Sequence, residues 1–85
     1  MDVSVRVDLS VPAGQKHVKA MRSAAASLTD RPRSVRVRIV SGEPQTMIAD
    51  FTMTKARQID VVDRITRACT FFMPDYSKST IWFPQ

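Results

Sequence analysis

Gly14, Lys16, His17, Lys19 and Arg22 gather where a strand-like segment gives way to a helical one. Unpaired backbone N–H groups at a helix start carry partial positive charge, and cations beside them suit a bound anion such as a phosphate. The stretch has one glycine and no Gly-Lys-Ser/Thr, so it is not a Walker loop. The plainer reading is a solvent-facing basic stripe, because Lys16, Lys19, Ser23 and Ala26 share one side of a helix. A second group, Arg6, Arg36 and Arg38, alternates with apolar residues and is therefore carried on strands. With Trp82, these arginines offer phosphate neutralisation and a plane on which a base can stack. Arg31 and Arg33, entering the second strand, also fit the bland role of discouraging edge-to-edge aggregation.

Residue types for catalysis are sparse. Cys69 is the single cysteine and falls on an apolar helical stripe, where a small buried hydrophobe is expected rather than a nucleophile. His17 is the single histidine, and as an exposed helical residue it lacks a partner for general-base work. Asp60 and Asp63 each precede an arginine by four residues, the spacing of helix-stabilising ion pairs. One cysteine and one histidine leave no familiar zinc site and no internal disulfide. No enzyme, no cofactor and no metal are expected.

The chain of 85 residues carries 13 Lys+Arg against 8 Asp+Glu, a net charge of +5. A basic domain concentrates anionic partners around itself, RNA or DNA first among them. The length suits one domain over residues 1–85. The longest purely apolar run is Phe71-Phe72-Met73, so no membrane span is expected. The alternating start Met1-Asp2-Val3-Ser4-Val5-Arg6 has no apolar signal region, and a cytoplasmic location is expected.

Positioning these residues requires six elements. Val3, Val5, Val7, Leu9 and Val11 alternate with polar residues and predict a strand over 3–11. Val18, Met21, Ala25 and Leu28 recur at helical spacing within about 13–28. Val35, Val37 and Ile39 predict a second strand, and Met47, Ala49, Phe51 and Met53 a third. Ser41-Gly42-Glu43-Pro44 joins them as a hairpin, with Arg36 opposite Asp50. Ile59, Val62, Ile65, Cys69 and Phe72 predict a helix over about 55–72, capped by Thr54. Residues 78–83 predict a last strand, with Ile81 and Phe83 inward. The expected core includes Val5, Val7, Val37, Ile39, Phe51, Val62, Ile65, Cys69 and Phe83.

This α+β order, β-α-β-β-α-β, resembles the ferredoxin-like split βαβ pattern. The resemblance implies a four-stranded antiparallel sheet in the spatial order 4-1-3-2, with two helices on one face. Its other face would present Arg6, Arg36, Arg38, Ile48 and Trp82. The topology is also similar to that of RNA-recognition modules, which place aromatics on their two central strands. Here the third strand reads TMIADFTM, whose one aromatic, Phe51, turns inward. Ferredoxin-like acyl-phosphate hydrolases use an asparagine and a first-loop arginine; this chain has no asparagine, and VPAGQK contains no arginine. Two functional readings follow. The first is a small basic binding module that engages nucleic-acid phosphate through the start of the first helix and the arginine-bearing sheet face. The alternative is a protein-interaction or homodimerisation module anchored on Trp82 and Ile48.

Overall fold

The computed structural model describes residues 1–54 and 58–84. Strands β1 (Asp2–Leu9), β2 (Arg36–Val40), β3 (Gln45–Thr52) and β4 (Tyr76–Trp82) form one antiparallel sheet in the order β2-β3-β1-β4. Helix α1 (Gln15–Ala26) follows β1, and helix α2 (Gln58–Phe72) follows β3. The expected cap, Thr54, is exposed and lies four positions before Gln58; the expected first helical residues, 55–57, lie outside the described residues. Among the described residues no helix is long and apolar enough to cross a membrane.

Alternation along the strands produces the layering. Val3, Val5, Val7 and Leu9 of β1 and Met47, Ala49 and Phe51 of β3 point to one face and are buried. They pack with Met21, Ala24 and Ala25 of α1 and Val61, Ile65, Ala68 and Cys69 of α2 in one core. Both helices therefore cover the same face of the sheet. Strand β1 ends at Leu9, two residues short of the expected Val11, because Leu9 pairs with the first residue of β3, Gln45. Beyond it Val11 has no strand to join and is exposed. The hairpin register is as the charge pairing requires: Arg36 faces Asp50 and Val37 faces Ala49. In its loop Gly42 has φ +157, a conformation that side chains rarely adopt. Strand β4 starts at Tyr76, earlier than expected, because a register shift between Asp8 and Leu9 allows Tyr76 to pair with Leu9. Between Leu28 and β2 the chain makes an unforeseen 3-10 turn over Pro32–Ser34. It is closed by the Ser34 amide and hydroxyl, which both donate to the Arg31 carbonyl.

Helix α2 corrects the expected core. Val62, predicted inside, is 55% exposed, and Phe72 is 66% exposed, while Val61 and Ala68 are buried instead. The stripe drawn through the largest apolar residues assumes that the helix faces only the sheet. It also faces α1, and the small side chains of Ala24 and Ala68 let the two helices approach each other. The buried arc turns towards that neighbour. Ile39 is likewise exposed, and Val37 and Phe83 are only half-buried. Ile39 and Val37 lie on β2, an edge strand with a neighbour on one side only.

Candidate functional site

The start of α1 is organised around the residue that sequence reading placed in solvent. His17 is 1% exposed. Its Nδ1 accepts the Gly14 N–H at 2.9 Å, so the neutral ring carries its proton on Nε2, which faces Asp75 Oδ2 at 3.4 Å. Gly14 has no side chain with which to cap the helix; the side chain three residues on reaches back to its N–H, the role a glutamate has in a capping box. Asp75 follows α2 and ties three segments together. Its carbonyl oxygen accepts from both the amide and the hydroxyl of Ser10 at 2.7 Å, and its carboxylate lies 4.0 Å from Lys16 Nζ. The Ala13 N–H donates to the Gln45 side chain, which fixes the same loop to β3. The expected exposure of His17 is thus corrected. Gly14 contributes no open N–H here, and the negative group beside Lys16 and His17 is the chain's own Asp75. Lys19 and Arg22 remain exposed on α1.

The uncovered sheet face holds the other residues of interest. Register places Arg38, Ile48, Arg6 and Thr80 in one row across all four strands. The next row holds Arg36, Asp50, Ser4 and Trp82, and the row on the other side holds Val40, Thr46, Asp8 and Lys78. Ile48 is therefore bracketed by two arginines at the cross-strand spacing of roughly 5 Å. Arg36 and Trp82 stand at opposite edges of their row, about 14 Å apart across three strand spacings. Trp82 is 46% exposed, and Arg6, Arg36 and Arg38 are all exposed.

Asp8 is fixed rather than loose. It accepts from the Thr46 hydroxyl at 2.8 Å and from Arg6 Nε at 3.3 Å. The Thr46 hydrogen bond, followed by the hydrogen bond and charge of Arg6 and the charge of Lys78, outweighs partial burial and lowers the carboxyl below its ordinary 3.8. A lowered carboxyl stabilises the fold above the ordinary range, and that contribution is lost as pH falls through the lowered value. Thr46→Val removes the largest cause. It is expected to raise the Asp8 pKa towards 3.8, readable by carbon NMR of the carboxyl, and to shrink the stability lost on acidification, because the folded and unfolded carboxyls then titrate together.

The structure brings Arg6, Arg36, Arg38, Ile48 and Trp82 onto one surface and sets Lys16, Lys19 and Arg22 on the helical layer behind it. One short ligand on the open face does not reach both groups. Burial pushes the Cys69 thiol up to about 11, which keeps it protonated and unreactive at neutral pH. Among the described residues no cluster of His, Cys, Asp and Glu is arranged for a metal ion. Of the helix ion pairs, Asp63 and Arg67 close at 3.2 Å. Sequence reasoning missed Asp75, whose signal was faint: an acidic residue in a turn, far along the chain from the single histidine. No protein-family model matches the chain, and no curated protein matches it in sequence.

Proposed function

We propose that this chain is a ferredoxin-like, non-enzymatic binding module whose open sheet face engages single-stranded nucleic acid. The reading rests on one arrangement: Arg6, Arg36 and Arg38 in adjacent register rows with Trp82 on the same uncovered face. Arginine neutralises phosphate and can stack beneath a base, and an exposed indole offers a second plane. Lys78 adds a fourth cation in the flanking row. The net charge of +5, to which Lys19 and Arg22 contribute from the far side, draws a polyanion in without touching it.

The test is a titration of fluorescein-labelled single-stranded RNA with rising salt. Four neutralised phosphates on a single strand give an affinity that falls about 50-fold between 50 and 200 mM salt. Trp82→Ala is expected to weaken binding by about 1–3 kcal/mol, the value of one stacked base. An affinity that is flat with salt, or no binding at low salt, overturns the reading. A second reading takes this face as a protein-interaction or homodimerisation surface anchored on Ile48 and Trp82. The position of Asp50 opposite Arg36, and of Asp8 in the row beside Arg6 and Arg38, favours it, since both carboxylates repel phosphate. In that case Trp82→Glu lowers the sedimentation mass without unfolding the domain.

A further inference from the structure

The two helices leave a groove between them on the side away from the sheet, with a volume of ≈ 410 Å³. Its floor is made of Ala20, Ala24 and Ala68. Small side chains at these positions let another backbone approach closely. One end is walled by Phe71 and Phe72, which are 74% and 66% exposed. Large aromatic side chains left this open on a small chain mark an interaction surface. Arg64 and Arg67 line the same groove. Arg67 is braced by Asp63 through Nε, and its other guanidinium donors remain for a partner.

We propose that this groove docks an acidic amphipathic helix from another protein. Helix α1, of 12 residues, is about 18 Å long, enough to hold about three turns of a partner helix. Apolar side chains of that helix would pack on the alanine floor and against Phe71, and carboxylates along its flanks would meet Arg64 and Arg67. The charges select against a second copy: two grooves placed face to face bring Arg64 and Arg67 against their counterparts on chains that each carry +5. This surface lies opposite the open sheet face, so a docked helix would not block nucleic acid there.

The probe is a synthetic helical peptide of about four turns, with leucines on one stripe and glutamates flanking it. Binding is read by amide shifts of the whole chain and by fluorescence anisotropy. The expected result is shifts at Ala20, Ser23, Ala68 and Phe71 with the strands unchanged, and no binding of a scrambled peptide of equal composition. Phe71→Ser is expected to weaken binding about tenfold or more, as loss of a central aromatic anchor does. Arg64→Glu is an exposed second variant that tests the charge term, and it too is expected to weaken binding about tenfold. Equal binding of the scrambled peptide, or shifts confined to the sheet face, overturns the proposal. So does a dimer that Phe71→Ser dissociates, a groove whose amides move with single-stranded RNA alone, or co-sedimentation with anionic vesicles that Phe71→Ser abolishes.

Discussion

Ile65→Ala is expected to remove about 2–5 kcal/mol of stability, the usual cost of truncating a fully enclosed aliphatic side chain and leaving a cavity. Ile65 has no exposed surface and belongs to the core that α2 shares with the sheet and α1. A chain of 85 residues commands roughly 4–13 kcal/mol in all, so this one change takes a large share and can leave the protein partly unfolded at room temperature. Val62 supplies the contrast. It was equally eligible for the core by sequence, yet it is more than half exposed. Val62→Ala is expected to change stability by no more than about 0.5 kcal/mol, as surface substitutions do. Urea unfolding of the two variants, followed by circular dichroism, checks the orientation of α2 directly. Equal losses would mean that the helix is turned the way the apolar stripe suggests.

The second large effect is expected at the start of α1. His17→Leu keeps a side chain of comparable bulk in a closed site but supplies neither an acceptor for the Gly14 N–H nor a donor for Asp75. Losing one neutral hydrogen bond and one to a charged group is expected to cost about 2–4 kcal/mol in total. Asp75→Asn keeps an acceptor opposite Nε2 while removing the charge, and it is expected to cost about 1 kcal/mol or less. The two midpoints in urea should therefore separate clearly. If His17→Leu matches the parent chain, the histidine fills space and does no more.

The open and covered faces of β1 and β3 were legible because strict alternation admits one assignment: a shift of one residue would bury Arg6 and Asp50. The hairpin register was legible for a related reason, since Arg36 opposite Asp50 agrees with the apolar pairing of Val37 and Ala49. The face of α2 was not. A helical stripe marks which residues are apolar, and Val61, Val62, Ile65 and Cys69 allow more than one arc. The arc actually buried depends on the alanines of the neighbouring helix, which a single-segment reading does not weigh. Arg6, Arg36, Arg38, Ile48 and Trp82 were legible as one surface because they follow from the same alternation. The role of His17 was hidden, because its partner Asp75 lies 58 positions away and adjoins it only after the sheet has formed.

That separation bears on how the chain acquires its shape. A helix closed by a nearby serine or aspartate can hold its first turn while the rest is still unfolded; α1 begins at a glycine with no side-chain cap of its own. Its closing contacts bridge β1, α1 and the segment entering β4, and the Ser10–Asp75 bond spans 65 positions. Loop closure over such distances is late, because its entropy must be met before the contact forms. The local bond from the Gly14 N–H to His17 can form early, whereas the tie of His17 to Asp75 is expected only once β4 has docked against β1. Weakening the His17–Asp75 clasp then hastens escape from the native state and leaves the rate of reaching it almost unchanged. The clasp governs how long the folded chain lasts more than how quickly it arises.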